Sequence, residues 1–171
     1  MKKYPLLTLI ADDSEDDRFL FGRAIRSLPE FRLAGLTTDG IDTLAYLHGC
    51  GPYQNRTEFP FPDVMLLDYE MPGYNGLEVL ASLREETKRP KIILWSNCIA
   101  GIDQCLAHEL GATLVCSKPV LLQEIQTVLQ AVQPCVHNLN HVLPSPQRRP
   151  CLFHLQDAYW HFRKISPSFG T

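Results

Sequence analysis

The sequence predicts an α/β protein built on a doubly wound, five-stranded parallel sheet, with a C-terminal extension. Three observations carry that expectation. Five short apolar runs alternate with segments of helical periodicity. Polar residues close four of those runs, and the charge changes sign near residue 133.

The elements follow in order. Leu6–Ala11 is an apolar strand. Ser14 can cap a helix over 16–26, where Phe19, Leu20, Ala24 and Ile25 recur at helical spacing. Phe31–Thr37 reads as the second strand, and 41–48 as a second helix closed by Gly49. A polar loop over 50–62 leads to the third strand, 63–67. A helix over 76–86 places Leu77, Leu80 and Leu83 inward. The fourth strand is 91–95, followed by a helix over 102–110. The fifth strand is 113–116, and the last helix of the body covers 121–132.

Composition bounds the function. Hydrophobic residues make 45% of the 171 and charged residues 20%, as in an ordinary globular protein. No run approaches the roughly 18 apolar residues of a membrane span, and the chain is expected to be cytoplasmic. Its start, Met1-Lys2-Lys3, has too short an apolar follow-on for a signal peptide. The six cysteines form no CxxC pair and read as reduced thiols. Residues 1–133 hold 12 Lys and Arg against 18 Asp and Glu, whereas 134–171 hold 4 against 1. An acidic body lacks the basic face that nucleic acid needs, so no nucleic-acid partner is expected.

In an open parallel sheet, chemistry gathers at the carboxyl ends of the strands. Here those ends carry Asp12 and Asp13, Asp68, Ser96 and Lys118. Three convergent carboxylates repel unless a cation neutralises them, and Mg²⁺ suits such hard oxygen ligands. Lys118 adds a positive point charge and Ser96 a hydroxyl donor, a set suited to charge developing on a phosphoryl oxygen. Asp68 then serves as nucleophile, forming an acyl phosphate. On its own, the acidic run 12–17 reads as helix N-terminal acids meeting the dipole. Lys118 alone reads as a solvated turn lysine, and Ser96 alone as a strand end.

Four segments, ADD at 11–13, LLDYEMPGYNG at 66–76, LWSN at 94–97 and SKP at 117–119, occur in one order and spacing. In them the chain resembles the receiver domain of two-component response regulators over about residues 4–133. The loop and helix end AYLHGCGPY, at 45–53, resemble the phytochrome-associated stand-alone regulators. The resemblance implies a flavodoxin-like fold of strand order 2-1-3-4-5. It further implies phosphoryl transfer to Asp68 from a sensor histidine kinase or phosphotransfer protein. Mg²⁺ would be held by Asp13, Asp68 and the backbone carbonyl of Glu70, with Asp12 acting through water. Lys118 would contact the phosphoryl oxygen and Ser96 would swing to it, shifting the face around the fourth helix. Glu70, Asn97 and Cys98 stand where the family tunes acyl-phosphate lifetime. Val115 stands where the family's fifth strand carries an aromatic, which puts the usual aromatic readout in question.

Two other readings stay open. A haloacid-dehalogenase-type phosphatase also uses Asp, Ser, Lys and Mg²⁺, but places its nucleophile near the first strand with a second Asp two residues on; position 70 here is Glu. A phosphorylation-independent binding or dimerisation module would keep the same rim. In the extension, 144–150 is a Pro-rich linker. Leu152, Leu155, Tyr159 and Phe162 then mark a short amphipathic helix, expected to dock on its own body. Cys135, His137, His141, Cys151 and His154 form a weak candidate Zn²⁺ set.

Overall fold

In a computed structural model, residues 4–137 are described. The expected linker, the amphipathic helix and His141, Cys151 and His154 of the Zn²⁺ set lie outside the described residues.

Five strands form one parallel sheet: β1 Leu6–Ala11, β2 Phe31–Thr37, β3 Val64–Asp68, β4 Lys91–Ser96 and β5 Ala112–Ser117. Their order is β2-β1-β3-β4-β5, as the resemblance implied. Five helices connect and follow them: α1 Glu15–Ser27, α2 Gly40–His48, α3 Gly76–Ser82, α4 Gln104–Glu109 and α5 Leu122–His137. Side chains alternate across the strands, so β1, β3, β4 and β5 each feed two cores, while β2 adds Phe31 and Leu33 to one of them. Leu9, Met65 and Ile92 lie side by side in register and face α2, α3 and α4. Their neighbours Ile10, Leu66 and Ile93 are again in register and pack with Phe21 and Ile25 of α1 and Ile125 and Leu129 of α5. All six strand residues are 0–1% exposed, which explains why the runs read as continuously apolar.

Three helices differ from expectation, each for a local reason. α3 ends at Ser82 rather than 86, because Arg84 and Glu86 close three-residue turns onto Ala81 and Leu83. α4 starts at Gln104 rather than 102, because Asp103 caps it by accepting the Leu106 N–H at 3.0 Å. A 3₁₀ turn, Ile99–Gly101, precedes it. α5 runs on to His137 rather than ending at 132. Pro134 lies inside it and removes one backbone donor without ending the helix.

The long loop before β3 is pinned from within. Arg56 donates to the carbonyls of Tyr46, Leu47 and Phe59, closing the end of α2, while the Tyr46 hydroxyl bonds Ala34 and Pro60. That leaves the opposite, carboxyl rim of the sheet free of long insertions.

Candidate functional site

Four strand ends meet at the carboxyl rim. Asp12 follows β1, Asp68 ends β3, Ser96 ends β4 and Lys118 follows β5. The pairing Asp68↔Trp95 brings Asp68 level with the end of β4. The Lys118 amide extends the β4–β5 ladder to the Ser96 carbonyl at 2.9 Å, which fixes where the lysine leaves the sheet.

Local chemistry explains each placement. Asp12 is held from two directions: its Oδ1 accepts the Ser14 N–H at 2.9 Å, and its carbonyl accepts Arg18 Nη1 at 2.7 Å. Ser14 caps α1 by accepting the Asp17 N–H. After Asp68 the chain turns sharply, with the Tyr69 amide on the Trp95 carbonyl and the Gly76 amide on the Tyr69 carbonyl. A Cβ at Gly76 would lie 2.8 Å from the Asp68 carbonyl oxygen and 2.6 Å from Leu94 Cδ1, so only glycine fits this approach. Asn75 and Glu78 then form a capping box that starts α3.

The polar groups converge as the sequence implied. Carboxylate oxygens of Asp12, Asp13 and Asp68 lie within 4.8 Å of one another. Asp12 and Asp68 are 0% and 3% exposed, whereas Asp13 opens to solvent. Lys118 Nζ lies 2.9 Å from Asp12 Oδ2, 3.3 Å from Asp68 Oδ1 and 2.7 Å from Asp17 Oδ2. Asp17 was not among the residues expected at the site. Its presence in the acidic run gave no signal separating it from its neighbours, because only the α1 register turns it toward Lys118.

Electrostatics follow from burial and crowding. Burial raises the Asp12 carboxyl above its ordinary value, despite Lys118. Burial, with help from neighbouring Asp12 and Asp13, raises Asp68 to about 6 against the pull of Lys118. Burial works against the charged form of Lys118, but Asp12 and Asp17 outweigh it and keep the ammonium protonated. The one ammonium therefore pairs with three carboxylates, with Asp13 beside them. The hard oxygens and their excess negative charge fit a bound Mg²⁺.

The remaining expected residues lie around this cluster. Ser96 is fully buried, and its Oγ accepts the Cys98 N–H at 2.9 Å, leaving its own O–H free to donate elsewhere. Glu70, Asn97 and Cys98 are exposed at the rim. Val115 is buried in the core facing α4. Trp95 is fully buried against Phe21, ring centroids 4.3 Å apart, and the indole N–H has no hydrogen-bond partner among the described residues. Among those residues no helix is long and apolar enough to cross a membrane.

Comparison with known proteins agrees with this geometry. A family model described as the response regulator receiver domain matches residues 8–130. A protein-glutamate methylesterase/protein-glutamine glutaminase of Halalkalibacterium halodurans is 34% identical over 169 residues, 95% of this chain and 46% of that protein. The chain spans about a third to a half of the length of such methylesterase relatives. Response regulator Rcp1 of Synechocystis is 24% identical over 75% of this chain and 87% of its own length. The Mn²⁺-bound structure of Rcp1 superposes with a TM-score of 0.64 at 26% identity, covering 82% of this chain and all of that one. The phosphorylated cyanobacterial phytochrome response regulator RcpA gives 0.66 at 24% identity, covering 83% and 100%, a likeness of fold. With the receiver model spanning most of the chain and the acidic rim in place, this protein belongs to the response regulator receiver domain family.

Proposed function

We propose that the protein is a Mg²⁺-dependent phosphoryl acceptor and a phosphorylation-controlled interaction switch. The observation that supports it best is the convergence of Asp12, Asp13 and Asp68 with Lys118 on one rim. Asp13, Asp68 and the Glu70 carbonyl would hold the ion, with Asp12 acting through water. When bound, Mg²⁺ neutralises the carboxylates and the charge on the incoming phosphoryl group.

The chain's own groups do the rest. An ionised Asp68 oxygen attacks phosphorus of a phosphohistidine on a sensor histidine kinase or phosphotransfer protein. The new P–O bond forms as the P–N bond breaks, and the leaving imidazole keeps the N–P electron pair and takes a proton. Lys118 stabilises the charge on the phosphoryl oxygens, and the Ser96 O–H donates to one of them. Moving Ser96 disturbs its bond from the Cys98 amide, which links the phosphoryl group to the turn before α4. Hydrolysis by water returns Asp68 to its carboxylate, so the chemistry is limited to its own loading and unloading. Exposed Glu70, Asn97 and Cys98 would tune the access of that water. A homodimer through the face around α4 fits the same switch, with nucleic acid playing no part.

The Mn²⁺-bound form of Rcp1, a relative at 26% identity, supports a divalent cation here. No specific observation favours the phosphatase or the phosphorylation-independent module. Intact mass after incubation with acetyl phosphate and Mg²⁺ tests the proposal. One phosphoryl group should appear on the parent, and none on Asp68→Asn or in EDTA. An unmodified parent at short times overturns it.

A further inference from the structure

Lys118 is shared among more carboxylates than its proposed task requires. Its shortest contact, 2.7 Å, is to Asp17, and its contact with the proposed phosphoacceptor, 3.3 Å, is the longest of the three. Asp12 and Asp68 belong to the cation and phosphoryl chemistry. Asp17 does not: it lies in the first turn of α1, its side chain 32% exposed, on the solvent side of the lysine. Its backbone is fixed there by the Ser14 cap, and the next residue, Arg18, is tied to the Asp12 carbonyl. Lys118 itself is 4% exposed, with Phe21 beneath its ammonium at 6.0 Å from the ring centroid. Walled in this way, the ammonium can move closer to Asp68 only by lengthening its contacts with Asp17 and Asp12.

We propose that Asp17 is a positioning residue that holds Lys118 back from Asp68 and thereby slows phosphoryl uptake. The inference rests on the phosphoacceptor reading of Asp68. An ammonium has three N–H donors, and two are engaged by the closest carboxylates, Asp17 and Asp12. A phosphoryl group on Asp68 adds negative charge and draws the lysine toward it, while the Asp17 carboxylate opposes that movement. Release of Asp17 would also pass the event to the first turn of α1, a second route out of the site besides the Ser96 turn.

The test compares acetyl phosphate labelling rates, at saturating Mg²⁺, for the parent, Asp17→Asn and Asp17→Glu. Removing the charge at 17 should raise the rate roughly two- to fivefold, the range expected for one partly exposed charge pair. Asp17→Glu, which keeps the charge, should return the rate to within about twofold of the parent. Loss of a merely structural contact would slow labelling or leave it unchanged, so the direction discriminates. An Asp17→Asn rate equal to or below the parent's, with the parent labelled, overturns the restraint and leaves the phosphoacceptor reading standing. A parent that takes no phosphoryl group overturns both.

Discussion

α1 and α4 both begin just past a strand that ends at the functional rim, yet they are held very differently. α1 has 13 residues and buries Phe21, Gly22, Ala24 and Ile25. Its first turn is fastened by the Ser14 cap, by Arg18 on the Asp12 carbonyl and by Asp17 on Lys118. α4 has six residues, buries only Ala107 fully and rests on one cap, Asp103, after a 3₁₀ turn. The rim therefore has a fixed side and a loosely held side. A small displacement at Ser96 costs least where little apolar surface must be repacked, which is the α4 side.

The largest test removes packing from each side. Phe21→Ala, which strips the ring from the Trp95 stack, should cost about 3–5 kcal/mol in urea unfolding. Ala107→Gly, at the one buried residue of α4, should cost about 1 kcal/mol. Equal losses would break the comparison.

A second test addresses charge, which is concentrated on the α1 side. Asp68 has a raised pKa of about 6 without metal, so below that pH the folded protein holds a proton that the cation must displace. Mg²⁺ affinity should be steady above pH 7 and fall by about tenfold per pH unit below 6. The same sign predicts that metal-free Asp68→Asn is more stable than the parent at pH 7. The advantage should shrink as pH falls through 6 and vanish below the ordinary carboxylate value of 3.8, where the parent's carboxyl is protonated in both states. Calorimetry with and without Mg²⁺ reads both effects. A flat affinity between pH 7 and 5 would show that the site does not crowd Asp68 as described.

The smallest effects concern the caps. Ser14→Ala and Asp103→Ala each delete one N-cap bond, worth about 1 kcal/mol to its helix. Ser14→Ala should lower the global unfolding midpoint. Asp103→Ala should chiefly speed amide exchange within 104–109, because α4 can open without the rest. Exchange in the parent should already be faster there than over 20–26.

The contrast between the helices also marks what could be read from the sequence. The strands were legible because both faces of the sheet are covered, which leaves runs such as Val64–Leu67 without polar interruption. Asp12, Asp13, Asp68 and Lys118 were legible because strand ends in such a sheet share one rim, so chain position translates directly into proximity. The extents of α3 and α4 were not. Apolar residues continue past Ser82 with Leu83 and begin before Gln104 with Ile102, but local turn bonds and the Asp103 cap decide the ends. Asp17 escaped notice for a related reason. Its role depends on which way one helical turn faces, and six consecutive polar residues, Asp12 to Asp17, give that turn no apolar marker.

Trp95 gives the molecule an optical consequence. Its indole is buried in the core with an N–H that meets no hydrogen-bond partner among the described residues, one residue before Ser96 and against the ring that underlies Lys118. Indole emission shifts to the blue in dry, unbonded surroundings and to the red as polarity rises. The chain has a second tryptophan, Trp160, so in a Trp160→Phe background the emission spectrum belongs to the rim alone. Events at the lysine and at the serine then reach a detector without a label, a partner or a radioactive phosphate.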